Sequence, residues 1–374
     1  IQELRSAQIN ALSGAFTMQD IIDTVGGGGG GLAGTQYVYV AADGTYTQNG
    51  NDFLAAYATA KTMSPSVSNR ITVILAPGNY TLPSGLIIDT EYIDIVSLDG
   101  NRSVIIGSGG LFFNPAISDV RLKGLDCTNI IIESFLDLLI VENCSGGVGS
   151  FGQNRITTGT FINCVGGNWS FGGGSTASGT FINCEAGDNS FGYFGAASGT
   201  FTDCTGGDGA FAGFGTATGT FTNCEAGYNS FGGNIIAGGT FTNCTGGNES
   251  FGGNGTASGT FTDCTAFDDA FGASGTASGT FTRCESTGNA CFGGFGTSSG
   301  TFTNCIGGNE SFGGWGTATG VYNSCIGGNL SIGGNGNLSG QAYYCRLTTG
   351  TFVTVGGAGR TVLCIDGNNN QNNQ

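Results

Sequence analysis

The chain has no histidine, four prolines, two methionines and only ten lysines and arginines against 26 acidic residues, for a net charge of −16. Without histidine a zinc site would need Cys-x-x-Cys pairs, and the sequence has none. Scarce, scattered cations exclude a phosphate-binding face, so neither nucleic acid nor an anionic membrane is an expected partner. No apolar run is long enough to insert across a bilayer, and the N-terminus lacks the basic-then-apolar layout of a signal peptide. At 10% charged residues the composition is far from that of a typical globular enzyme. What fills the chain instead is 74 glycines, 27 phenylalanines and an apolar fraction of 39%. Disorder combines few aromatics with high charge, so this glycine-rich chain is expected to build a core.

Although 374 residues could hold two or three ordinary domains, the sequence divides differently. Residues 1–25 space Ile1, Leu4, Ile9, Leu12 and Phe16 at roughly helical intervals, predicting a helical attachment or oligomerisation segment. Six glycines, Gly26 to Gly31, open a flexible linker over 26–36. From 37 to 143, β-branched runs such as YVYV, ITVIL and IDIVSL alternate with turn residues, predicting strands. Between the first two lies a helix, expected over 51–63 with Asp52 near its start as the cap. The chain closes on an Asn/Gln-rich tail, 365–374, expected to fray.

Residues 144–364 repeat themselves. Cysteines fall at 144, 164, 184, 204, 224, 244, 264 and 284, then at 305, 325, 345 and 364. Such a period marks a solenoid, in which each coil buries its apolar face only by stacking on its neighbours. Twenty residues are too few for two helices, and the glycines and β-branched residues oppose helix, so each coil is two or three short strands. Two phenylalanines per coil, Phe161 and Phe171 in one and Phe181 and Phe191 in the next, are expected to point inward from opposite walls as two ladders. In GTFTNC, alternation places Phe inside and both threonines outside. Asn163, Asn183, Asp203 and Asn223 precede the cysteines and tolerate left-handed backbone, so the chain is expected to bend there and return Cys inward. The cysteines then form a column of buried free thiols: stacked strands suit the Cα spacing of a disulfide but not its Cβ approach. One extra residue near Ala290 and Cys291 is expected to make a surface bulge.

The stretch YVYVAADGTYTQNGNDFLAAYATAKTM, followed by RITVILAPGNYTL and YIDIVSLDG, resembles the opening of the pectate-lyase-like right-handed parallel β-helix. That resemblance covers residues 37 to about 106 and implies a right-handed parallel β-helix with a capping helix; with the 20-residue period and the helical spacing of residues 1–25, the expected fold is all-β, a right-handed parallel β-helix with 20-residue coils, one capping helix and a short N-terminal helical segment. The glycine-rich coils resemble those of bacteriophage tail fibres and tailspike-type virion adhesins. This implies a virion appendage assembled in the host cytoplasm, where free thiols fit the reducing conditions.

Chemistry-bearing candidates are few. Asp188, Asp208, Glu249, Asp268, Asp269 and Glu310 lie in the turn before the second Phe, but their positions drift, and solvated turn acids are the reading preferred over a catalytic pair. Lyase or esterase chemistry would want a positioned cation, and the repeats offer only Arg155 and Arg283 before Arg346. No catalytic residue, metal or cofactor is therefore assigned, and calcium is a minor alternative on the GGNESFGGNG segments. Two surfaces are functional candidates. Thr200/Thr202 and its equivalents through Thr301/Thr303 form a two-column outward array of the kind found on ice-binding solenoids. Three residues after the second Phe stand Phe194, Phe214, Asn234, Asn254, Ser274, Phe295 and Trp315, aromatics and amides suited to stacking on sugar rings and bonding their hydroxyls. The expectation is a structural and adhesive virion appendage, a homotrimer attached to a tail protein through residues 1–25 and binding a host-surface receptor or glycan. The alternatives are an ice-binding or extracellular adhesin solenoid and a polysaccharide-degrading tailspike.

Overall fold

In the computed structural model the described residues are 36–366, apart from 103, 108, 115–116, 128–129, 133–137, 334–336 and 350–359, together with 368 and 371–372. The helical segment expected over 1–25, and all but the last residue of the linker expected over 26–36, lie outside them.

The chain winds as an all-β parallel solenoid. Its main wall is a sheet of sixteen parallel strands, from β1 (Gln36–Val40) and β2 (Ile71–Leu75) to Arg360–Val362. In the repeats this wall carries the TFI and then TFT triplets, Phe161 paired with Phe181, then Phe201, Phe221 and so on in strict register. A second wall follows each cysteine, with Val165, Glu185, Thr205, Glu225 and Thr245 stacked one above another. The third carries the alanines Ala177, Ala197, Ala217, Ala237, Ala257 and Ala277, all buried. A sheet edge is a hazard only where it is left unpaired, and here every coil pairs with the next.

Both phenylalanine ladders form. Rings of one ladder stack on the next coil at 4.7–5.2 Å with planes within 9° of parallel. The two ladders meet edge to face at 5.4–6.0 Å. These are the two arrangements the aromatic quadrupole prefers. The small Ala wall leaves the room that two rings per coil need, as large residues pack against small ones.

The second ladder does not rise from a strand on the opposite wall. Phe171, Phe191, Phe211, Phe231, Phe251 and their equivalents sit in the turn between the second and third walls, each with φ near +50°. That left-handed conformation costs a non-glycine residue about 1–2 kcal/mol, which full burial of a Phe side chain, worth about 1.5–3 kcal/mol, offsets. The Asn bend is present as expected, with Asn163, Asn183, Asp203 and Asn223 all at φ of 50–54°. Their side chains add a polar ladder: Asn183 Nδ2 donates to Asn163 Oδ1 at 2.8 Å, and Asn223 Nδ2 to Asp203 Oδ1 at 2.8 Å.

Three local expectations need correction. The helix α1 runs Tyr46–Thr62, starting well before residue 51, and its cap is Thr45, whose hydroxyl accepts from Gln48 N at 3.3 Å; Asp52 is an exposed residue inside it. The helix runs through residues 48–51 despite the low helix propensity of Gly and Asn, and Gly50 packs against the Thr81 carbonyl, where a Cβ would come within 1.9 Å. Buried Asn49 clasps the same junction, donating to Asn79 O and accepting from Gly44 N, both at 3.0 Å. The second correction concerns the 21-residue coil. Ala290 and Cys291 are fully buried, with Cys291 in the place most other coils give to Ser; the added length is taken up at exposed Thr287 and half-buried Gly288. Finally, within the tail expected to fray, Gln371–Asn372 folds back as an antiparallel strand on Cys364–Ile365.

Candidate ligand-binding edge and threonine face

The turn that delivers the second Phe inward must bring the chain back out, and the residue at its rim is the position three beyond that Phe. Each rim residue's backbone N–H donates to the coil before it: Phe194 to Gly173 O at 3.2 Å, and Phe214 to Tyr193 O, Asn234 to Gly213 O, Asn254 to Gly233 O, Ser274 to Gly253 O, Phe295 to Ala273 O and Trp315 to Gly294 O at 2.9–3.0 Å. Phe194, Phe214, Asn234, Asn254, Ser274, Phe295 and Trp315 are thereby one axial column. Its four aromatics are about half exposed, between 46% for Phe214 and 58% for Phe194. Asn254 is exposed and Asn234 half-buried.

At the N-terminal end of the column the aromatics join a cluster that the column alone did not reveal. Tyr193 lies 4.6 Å from Phe194 and 5.3 Å from Phe214, and Trp169 lies 5.4 Å from Tyr193. Tyr193 occupies a position that most coils give to glycine. It fits because the coil beneath it carries Gly209, with φ of +68°, where a Cβ would stand 2.6 Å from the Tyr193 ring. The two departures from the repeat compensate each other, and that pairing is the signal a reader of the sequence could have used.

Lower on the column the polar groups are tied together. Glu249 Oε2 accepts from Tyr228 Oη at 2.6 Å and from Asn254 Nδ2 at 2.7 Å, and Asn254 Nδ2 also donates to Asn234 Oδ1 at 3.2 Å. A carboxylate only accepts, so the Asn254 atom facing it is the amide nitrogen. The hydrogen bond to Glu249 pushes the Tyr228 phenol up to about 12. Tyr228 carries no signal in the sequence, and Glu249, expected there as a solvated turn acid, is instead tied into this network.

Three of the remaining acids bracket adjacent coils. Asp188 Oδ1 accepts from Asp208 N at 3.0 Å, Asp208 Oδ1 from Tyr228 N at 2.8 Å and Asp268 Oδ1 from Asn289 N at 2.7 Å. Burial, then the neighbouring Asp268 and Glu249, raises the carboxyl of Asp269. Among the described residues no three His, Cys, Asp or Glu side chains are grouped as a metal site requires. All fourteen cysteines are free and buried. Most of the repeat thiols donate to carbonyls of the preceding coil, as Cys184 to Phe161 O and Cys204 to Phe181 O at 3.4 Å. Burial raises the Cys144, Cys284 and Cys325 thiols well above the ordinary range and takes Cys291 up to about 12.

On the main wall the threonine array is in register across six coils, Thr200 with Thr220, Thr240, Thr260, Thr280 and Thr301, and Thr202 with its own column. The first column is exposed and the second half-buried. Strand geometry makes this a lattice of roughly 4.8 Å along the axis and 6.6 Å across it. Among the described residues no helix is long and apolar enough to cross a membrane.

Compared with known protein families, curated proteins and solved structures, the chain matches none.

Proposed function

We propose that this chain is the adhesive shaft of a virion appendage, holding a host-surface glycan along the edge that runs from Phe194 to Trp315. The observation that carries this reading is that edge: half-exposed aromatics and amides stacked in one axial column on a rod whose other turns repeat with little change. A rigid solenoid supplies pre-organised side chains, so binding loses little conformational freedom. In this reading residues 1–25 attach the shaft to a tail protein, and three copies associate laterally, covering outward apolar residues such as Ile182 and Ile306. The test is whether the full chain co-purifies with particles and whether the purified chain competes with them for adsorption to host cells. Failure of both removes the proposal.

The threonine lattice favours a second reading, an ice-binding solenoid, because hydroxyls and methyls at fixed intervals order water in two dimensions. Thermal hysteresis by the purified chain, lost when Thr240 and Thr260 are replaced by bulky Tyr, would select it over the adhesive one.

A further inference from the structure

We infer that Tyr228, Glu249, Asn254 and Asn234, together with the rings of Phe214 and Phe194, form one subsite for a neutral pyranose sugar. The inference rests on the adhesive reading of this edge and names the sugar class and the residues that hold it.

The subsite follows from how its polar atoms are spent. Both amide hydrogens of Asn254 are engaged, one by Glu249 Oε2 and one by Asn234 Oδ1. That leaves Asn254 Oδ1 as an acceptor and Asn234 Nδ2 as a donor, with Glu249 Oε1 a second acceptor, none of them in a hydrogen bond among the described residues. Donor and acceptors on adjacent coils, roughly 4.8 Å apart, suit the neighbouring hydroxyls of a sugar, each of which donates and accepts. The network is complete before any ligand arrives, so its geometry is set in advance. Directly above Asn234 in the column stands Phe214, with Phe194 one coil further and their ring centroids 6.3 Å apart. A pyranose has an apolar C–H face and a rim of hydroxyls, and this edge presents an aromatic shelf beside a hydroxyl-binding row. Charge decides the class of sugar. Glu249 lies in the row, Asp268 and Asp269 follow on the next coil, and the chain carries a net charge of −16, all of which repel sialic and uronic acids.

The experiment is binding of the full chain to immobilised gluco-, galacto- and manno-configured oligosaccharides, with sialylated and uronic oligosaccharides alongside. The variants are Asn254→Ala, Phe214→Ala and, as a control on the main wall, Thr242→Ala. The expected result is binding to a neutral glycan, weakened roughly tenfold or more by each of the first two and unchanged by the third. Unchanged melting temperatures would show that the surface variants are folded. Neutral binding that Asn254→Ala and Phe214→Ala leave intact overturns the subsite while the adhesive reading stands. Binding confined to acidic glycans overturns the sugar class. Absence of glycan binding by a chain that still competes with particles for host cells overturns the subsite and leaves a non-glycan receptor. Absence of both overturns the adhesive reading itself.

Discussion

Phe241 and Thr242 are neighbours on one strand with opposite environments, one ring fully buried and one hydroxyl half-exposed. Phe241→Ala should therefore cost about 3–5 kcal/mol by chemical denaturation, and Thr242→Ala under about 0.5 kcal/mol. Equal penalties would mean that the inside and outside of the main wall had been exchanged. The bend residues give a sharper test of backbone rather than packing. Asn223 holds φ of 54° and both gives and takes a hydrogen bond along its ladder. Ala there loses the hydrogen bonds and strains the left-handed backbone, whereas Gly loses only the hydrogen bonds, so Asn223→Ala should be less stable than Asn223→Gly by about 1 kcal/mol. The reverse order in denaturant midpoints would refute a left-handed bend. This bend was legible in the sequence because Asn and Asp recur where strict alternation fails. The left-handed Phe of the second ladder was not, because nothing about a phenylalanine announces that conformation; burial imposes it.

At the scale of elements, the capping helix depends on one close approach. Gly50→Ala would drive a Cβ into the Thr81 carbonyl, a backbone atom that cannot swing aside, so a loss of about 2 kcal/mol or more is expected. Exposed Asn51→Ala in the same helix should be neutral or slightly stabilising. Matching thermal shifts for the two would show that the helix does not sit on that carbonyl. Read locally, Gly50 and its asparagines argue against helix, and only the tertiary contact with residues 79–81 explains why the helix persists through them. The coil is the other element with a definite prediction. Deleting residues 245–264 removes one full winding and leaves Cys244 leading into Thr265, with every ladder in register. Deleting 245–254 places the second Phe of one coil over the first of another. The former should yield a folded chain with an unchanged β signature in circular dichroism, and the latter an aggregating one, because a nearest-neighbour stack tolerates loss of a whole repeat but not of half.

For the whole molecule, fifteen inter-strand steps of about 4.8 Å give a rod about 70 Å long, a dimension that solution scattering of the full chain would measure. Its burial-raised thiols, Cys291 first among them, set a pH dependence. Thiols raised by burial hold their protons in the folded state at pH values where the unfolded chain has lost them. Their contribution is complete below the unfolded pKa of about 8.5 and is lost as pH rises from there toward about 12 for Cys291. The loss of denaturant midpoint between about pH 8.5 and 10 should shrink in Cys291→Ser relative to the parent chain; an unchanged profile would contradict a burial-raised Cys291 thiol. By itself the sequence determined the period, the inward Phe and Cys columns, the outward threonines and the rim column of Phe194 to Trp315. These follow from a repeat that stacks like on like, so any single coil reports the position of all. Only the tertiary structure decided the features that break the repeat: the early start of the helix, the burial of Cys291, the Tyr193 shelf over Gly209, and the Tyr228–Glu249–Asn254 network. Each depends on side chains from different coils meeting across the winding, and such a meeting has no local pattern to betray it.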